Sequence, residues 1–361
     1  MKTPMNSWAL SMNAWGKWVD RDLVESCYTP AALKALESFP VDAQNVELIA
    51  HSENVTFRVS VRDSNTDYVL RLHRPGYNSI EELDSERIWA MALKEAGISI
   101  QDSLLTCQGQ RFELIDIPGA GEQRYAGMTT WLEGTPLSDY LATNSDREKR
   151  ERIFRRIGEI AAAIHNQSTR WKEPPGFTRR RLDLHGLLGE APLWGRFWEH
   201  ADLTRGEQAL LLQAREIARA TLSAYGETPD KFGLIHADLH PQNIVYNGED
   251  LALIDFDDSA YGWHMYEIAS ALIEDRFAPD FEALRTALLD GYREHRPLAM
   301  RDVEMLPAFL LIRGMAIIGW FHQRPEHAGS SYFRRVKEMV LDDCDTLIGN
   351  AGAPATQPIP D

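Results

Sequence analysis

Residues 234–259 read LIHADLHPQNIVYNGEDLALIDFDDS. Two short apolar runs, Ile244-Val245-Tyr246 and Leu251 to Ile254, flank Asn247-Gly248, a dipeptide suited to a tight hairpin turn. The spacing predicts a hairpin with Asp238 and Asn243 in the loop before its first strand and Asp255 just past the end of its second. Three oxygen-bearing side chains then converge at one end. Such a set suits Mg²⁺, which takes one or two protein oxygens and completes its shell with water and phosphate. Asn243 and Asp255 meet that count, and Asp238 remains to accept or orient a proton from an attacking hydroxyl. Positioning of that kind, with charge neutralisation, is what phosphoryl transfer needs.

Outward from this stretch the chain divides in two. Val46 to Ala50, Val55 to Val61 and Tyr68 to His73 are short runs rich in β-branched and other apolar residues, separated by the turn-prone HSEN and RDSNTD, and predict an antiparallel meander. Before them, Tyr28-Thr29-Pro30 and the following AALKALESF predict a helix with Thr29 as N-cap and Pro30 at its first position. Ser79 to Ala96 has helical apolar spacing and Gly97 ends it. Two more strands follow near Phe112 to Ile117 and Tyr125 to Trp131. Glu133-Gly134-Thr135-Pro136 breaks the pattern, and beyond it the chain reads as mainly helical, at about Asp146 to His165, Gly206 to Tyr225, Trp263 to Glu274, Phe281 to His295, Val303 to Phe321 and Ser331 to Leu347.

Composition excludes several classes. The chain has 361 residues, 44% of them hydrophobic and 25% charged, as a folded globular protein has. A formal charge of -16 opposes a broad nucleic-acid or anionic-membrane footprint. Arg179-Arg180-Arg181 is the densest basic run and reads as a solvated loop. Cys27, Cys107 and Cys344 are too few and too scattered for a disulfide framework or a Cys-based zinc site, and fit a reducing cytoplasm. The apolar stretch Leu306 to Trp320 is short for a membrane span and carries Arg313. The N-terminus lacks the apolar centre of a secretory signal, and the Pro/Ala-rich end reads as a frayed tail.

HADLHPQNIV followed by LIDFDDS resembles the catalytic loop and metal-binding segment of the aminoglycoside phosphotransferase and choline kinase family. Upstream, SENVTFRV resembles its nucleotide-covering hairpin, YVLRLHRP its third strand, SERIWAMAL the helix with the pairing Glu, and TTWLEGTPL the hinge. The resemblance covers roughly Leu48 to Ala271. It implies an α+β, two-lobed protein-kinase-like fold with a small antiparallel-sheet N-lobe and a larger, mainly helical C-lobe. The division it suggests is an N-terminal helical extension (1–40), a nucleotide-binding N-lobe (41–132), a catalytic and acceptor-binding C-lobe (133–350) and a flexible tail (351–361).

The resemblance also implies a function: transfer of the γ-phosphoryl of ATP or another nucleoside triphosphate, with Mg²⁺, to a hydroxyl of a small molecule. Amino alcohols, aminoglycosides and homoserine-like or choline-like compounds are the acceptors it suggests. Asp238 corresponds to the base, Asn243 and Asp255 to the metal ligands, and Arg71 and Glu86 to the phosphate-binding cation and its partner. His236 corresponds to a loop organiser, and Met128 to Glu133, centred on Thr130, Trp131 and Leu132, to the segment that hydrogen-bonds a purine. A protein Ser/Thr kinase and a non-catalytic nucleotide-binding pseudokinase are the alternatives within the fold.

Two features depart from the pattern. Arg71 stands where a Lys is usual, with no Lys anywhere between Lys34 and Lys94, and Arg and Lys are not interchangeable in geometry. HSENVTF also lacks Gly. Blander readings accompany each site. Asp257, Asp258 and Ser259 also suit the cap of a following helix, Glu86 a solvent-facing helix position, and Trp263, Tyr266, Trp320 and His322 a helical core. Alternation along Tyr68 to His73 places Arg71 opposite Leu70 and Leu72. A zinc hydrolase built on His236, His240 and Asp255 is opposed by Pro241, which ends any helix there.

Overall fold

The computed structural model describes residues 21–51, 54–327 and 329–352. The expectations for the segment before Arg21, for Ser52 and Glu53 in the first hairpin turn and for the tail from Ala353 onward fall outside these residues.

A six-stranded antiparallel sheet forms the first half of the fold: β1 (Ala43–His51), β2 (Val55–Val61), β3 (Asp67–Leu72), β4 (Ser103–Leu104), β5 (Phe112–Ile117) and β6 (Glu122–Thr130). Its order is β1-β2-β3-β6-β4, with β5 also paired to β6. Alternation sorts its faces. Phe57, Val59, Leu70, Leu72, Ala126 and Met128 are buried on one side against Ala31, Ala32, Ala35 and Leu36. Arg71, between two of these leucines and registered with Gly127 on β6, faces the other way.

Those alanines lie on a helix that corrects the sequence reading. It spans Arg21–Leu36 and runs through Pro30, so Thr29 does not cap it. Proline removes a hydrogen-bond donor inside a helix, and here burial of the Ala31, Ala32, Ala35 and Leu36 face against the sheet offsets that loss. The Ile80–Glu95 helix starts at Ser79 with a capping box, in which Ser79 Oγ accepts from Glu82 N and the Glu82 side chain accepts from Ser79 N. That start directs Leu83, Glu86, Trp89 and Leu93 inward.

The chain leaves the sheet at Gly134, where φ is +140° and an added Cβ would lie 2.6 Å from Tyr246 O. Only glycine fits so close to a neighbouring backbone at that dihedral. β7 (Thr135–Pro136) then pairs with the predicted hairpin. After β8 (Arg181–Leu182) and β9 (Phe232–Ile235), the hairpin itself is β10 (Ile244–Tyr246) and β11 (Leu251–Leu253), registered Ile244 to Leu253 and Tyr246 to Leu251. β12 (Ala260–Trp263) pairs with both β9 and β8.

Helices Arg147–Arg170, Arg205–Tyr225, His264–Leu272, Phe281–His295, Leu306–His322 and Ser331–Gly352 surround these short strands. The Met300–His322 stretch is long and apolar enough to cross a membrane by length and composition. Its Phe309, Leu310, Leu311, Met315 and Ile318 are buried in the main core with Trp263, Tyr266 and Ile268.

Candidate active site

The loop that carries Asp238 follows β9 and is held in an unfavourable backbone state. Ala237 has φ +69° and Asp255 φ +63°, left-handed conformations that cost a non-glycine residue about 1–3 kcal/mol. Buried partners hold them. Glu267 accepts from His236 N at 2.7 Å through Oε1 and from Ala237 N at 2.8 Å through Oε2. Ser270 Oγ donates to Ala237 O at 3.0 Å. His236 Nε2 lies 3.0 Å from Ile254 O, which ties this loop to the residue before Asp255. Burial pushes Glu267 up to about 8, against the pull of its two backbone N–H donors.

Asp238 sits in a nest of donors. Its Oδ1 accepts from Arg313 Nη2, and its Oδ2 lies 3.1 Å from His240 Nε2 and accepts from Asn243 Nδ2 at 2.9 Å. Burial favours the protonated carboxyl, but the neighbouring His240 and Arg313 charges outweigh it and hold Asp238 well below the usual carboxylate range. Burial works against charge on His240 as well, yet Asp238 and Glu274 raise it to about 9, so both members of the pair are ionised at neutral pH. Asn243 Nδ2 also donates to Asp238 O at 3.0 Å, which leaves the amide oxygen as the available ligand atom. His236 and His240 thus direct ring nitrogens at Ile254 O and Asp238, an arrangement unlike a zinc site.

Across from this loop, Arg71 Nη1 donates to Asp255 Oδ1 at 2.9 Å and lies 3.4 Å from Asp257 Oδ1. Glu86 is 2% exposed, not solvent-facing, and burial pushes it up to about 7. Its nearest ion-pair contact is Arg87 at 3.9 Å and its Oε2 has no hydrogen-bond partner. The expected Arg71 to Glu86 pairing is therefore not formed. The long side chain instead brings Nη1 to the two aspartates beyond β11.

Those aspartates are organised by residues that the sequence reading passed over. Asp257 accepts from Asn54 Nδ2 at 2.5 Å, so the glycine-free β1–β2 turn reaches it with a side-chain amide. Burial opposes ionisation of Asp257, but Arg71 and its other donors hold it well below normal. Asp258 accepts from Tyr77 Oη, and burial, reinforced by the Asp238 charge, pushes it up to about 6. Neither caps a helix, because β12 follows directly.

Arg179 is no solvated loop residue. It is 5% exposed and donates to Ser259 O at 2.7 Å, Asp257 O at 2.7 Å and Glu82 O at 2.9 Å. It also donates to Phe256 O at 3.3 Å, so one side chain satisfies three carbonyls of the Phe256 to Ser259 loop, which burial would otherwise leave without donors. Trp263 and Tyr266 are core residues as expected, whereas Trp320 borders the cavity.

The segment expected to meet a purine is partly engaged elsewhere. Thr130 N donates to Asp102 O at 2.9 Å, Thr130 O accepts from Gln101 Nε2 at 2.9 Å, and Trp131 N donates to Asp67 O at 2.8 Å. Thr130 does not border the cavity, whereas Thr129, Trp131 and Leu132 do. One cavity of about 450 Å³ joins the parts. Val69, Arg71 and Leu132 border it on the sheet side, Asp238, Asn243 and Asp255 between, and Trp194, Arg313 and Trp320 on the helical side. Among the described residues, the group of His and acidic side chains close enough to share one metal atom by their own ligands is Glu159, Glu294 and His295, away from this cavity.

Comparison with known proteins adds sequence and fold relatives. Residues 45–301 match the model of the phosphotransferase enzyme family. An amicoumacin kinase of Bacillus subtilis is 24% identical over 300 residues, covering 80% of this chain and 83% of that protein. A homoserine kinase of Mesorhizobium japonicum is 40% identical over 198 residues, a match spanning 54% of this chain and 56% of the relative. The structure of a microcompartment-associated aminopropanol kinase, at 27% identity, covers 91% of this chain and all of that one with a TM-score of 0.74. Amicoumacin kinase in complex with AMP-PNP, Ca²⁺ and Ami shares the fold at 19% identity and a TM-score of 0.71, over 90% of this chain and 96% of that one.

Proposed function

The chain belongs to the phosphotransferase enzyme family, and on that premise we propose that it moves the γ-phosphoryl group of ATP to the hydroxyl of a small molecule. The nucleotide and divalent cation are carried over from the amicoumacin kinase complex, with Mg²⁺ as the physiological ion. The observation that carries this reading is that Asp238, Asn243, Asp255 and Arg71 border one cavity, with the Asn243 amide fastened to Asp238 at 2.9 Å.

The donor set fits a hard cation. The Asn243 amide oxygen remains after its nitrogen is bonded to Asp238, and Asp255 takes Arg71 on one oxygen and keeps a second. Bound there, Mg²⁺ would neutralise triphosphate charge and orient the transferred group. Asp238 orients the acceptor hydroxyl and takes its proton. Its depressed pKa suits a loose transition state, in which the nucleophile needs alignment more than early deprotonation. The charged His240 and Arg313 hold the carboxylate in one rotamer. Arg71 supplies positive charge from the sheet side, and Trp131 and Leu132 border the space for a base.

The deciding experiment incubates the purified chain with labelled ATP, Mg²⁺ and a panel of hydroxylated metabolites. Transfer to at least one acceptor, abolished by Asp238→Asn, supports the reading. Transfer that survives that substitution refutes the role given to Asp238.

A further inference from the structure

Arg313 interrupts the apolar Leu306–His322 helix and lines the cavity with Ala316, Ile317 and Trp320 along one helix face. Its guanidinium is fixed from three sides. Nη2 donates to Asp238 Oδ1, Nη1 lies 3.4 Å from Tyr266 Oη, and Cζ is 5.8 Å from the Trp194 ring centroid. Nε is buried and has no hydrogen-bond partner. A buried, preorganised donor without an acceptor, beside a cavity, marks a place where a ligand oxygen belongs.

We propose that Arg313 receives a carboxylate of the acceptor, so that the preferred substrates of the phosphotransfer reaction are short hydroxy acids whose hydroxyl meets Asp238. This inference rests on the function proposed above. Two considerations select the acceptor over the nucleotide as the source of the anion. Arg313 binds Oδ1 of Asp238 from the helical side, whereas Asn243 binds Oδ2, the oxygen nearer the set assigned to the metal. Charge balance points the same way. When Asp238 takes the hydroxyl proton it becomes neutral, and Arg313, still buried, loses its ion-pair partner and keeps only the field of Asp258, a costly state that a further anion relieves. A carboxylate on the same guanidinium supplies it. The guanidinium lines the cavity with Nε unpaired, and a carboxylate is an anion that its planar fork matches.

The test compares matched acceptors with the full-length chain, ATP and Mg²⁺: L-homoserine against 3-aminopropan-1-ol, and 4-hydroxybutanoate against propan-1-ol. Each pair differs by the carboxylate alone. The expected result is a kcat/KM preference for the carboxylated member on the order of 10- to 100-fold, the worth of one charged hydrogen-bonded contact. Arg313→Met and the more conservative Arg313→Lys should shrink that ratio, Met more than Lys. The ratio is read within one preparation, so a general loss of activity does not imitate it.

Equal or poorer use of the carboxylated members by the unsubstituted chain overturns the proposal, as does turnover of neither series. An equal loss across both series in Arg313→Met also overturns it, because that outcome leaves Arg313 with the positioning of Asp238 and no part in recognising the acceptor. A missing preference with transfer still abolished by Asp238→Asn sinks this inference and leaves the phosphotransfer reading intact. Transfer that survives Asp238→Asn sinks that reading instead.

Discussion

Arg71 Nη1 donates to Asp255 Oδ1 at 2.9 Å, joining the central strand β3 to the segment that follows the β10–β11 hairpin. With Asp257 Oδ1 also 3.4 Å from the same nitrogen, one Arg71 N–H group faces two carboxylates, so charge at this point is what the site draws on. Arg71→Met should therefore weaken nucleotide affinity by about 10- to 100-fold, the range for a charged contact, and Arg71→Lys should fall between. Calorimetric titration with Mg-ATP measures both. Wild-type affinity in Arg71→Met would remove Arg71 from the nucleotide site.

Asp238 and Asp255 separate by the step each affects. Asp238→Asn keeps the shape of the loop and removes proton acceptance, so kcat should fall by roughly 10²- to 10⁴-fold with nucleotide affinity nearly unchanged. Asp255→Asn should instead weaken nucleotide binding in the presence of Mg²⁺ and leave binding in EDTA much less affected. Paired titrations with and without the metal distinguish the two variants.

The hairpin and its flanking aspartates were legible because turn chemistry and local spacing are short-range. Asn247-Gly248 and the alternation around Arg71 each need only a handful of neighbours. The role of Arg179 is hidden from local sequence because its carbonyl partners lie about 80 residues away, at Ser259 and Asp257. The start of the Arg21–Leu36 helix is hidden because Pro30 is locally a strong start signal, and only burial against the sheet overrides it. Arg313 leaves a trace in the sequence as a single charge in an apolar helix. A lone buried charge needs a partner, and Asp238 is that partner. No local pattern announces that Thr130 is bonded to Asp102 and Gln101.

Gly158 and Gly291 set the approach of the Arg147–Arg170 and Phe281–His295 helices. A Cβ on Gly158 would lie 2.0 Å from Leu288 O, and one on Gly291 would lie 2.0 Å from Arg155 O. Backbone cannot yield as a flexible side chain does, so the helices must separate and lose packing around Ile157, Leu288 and Tyr292. Gly158→Ala should destabilise the chain by about 3 kcal/mol, the upper part of the range for overpacking, despite the better helix propensity of alanine. Denaturant midpoints read the change, and an unchanged midpoint would show that the crossing is looser than these distances imply.

Glu267 offers a test through pH. Its folded-state value, pushed up to about 8 by burial, lies above the 4.5 of an unperturbed Glu. Between those values the folded chain binds more protons at this site than the unfolded chain, so the stability it contributes is complete below about pH 4.5 and is lost as pH rises through 8. Glu267→Gln removes that titration and also replaces one of the two oxygens that accept from His236 N and Ala237 N with an amide donor. The variant should be less stable than the parent at pH 6, since the left-handed Ala237 loses a tether. The gap in Tm should narrow between pH 6 and pH 9, because only the parent bears the growing cost of a buried charge there. Thermal melts of both proteins across that interval read the difference directly, and a constant gap would mean that Glu267 stays in one protonation state throughout. Because Ala237 immediately precedes Asp238, kcat in the variant should fall along with stability.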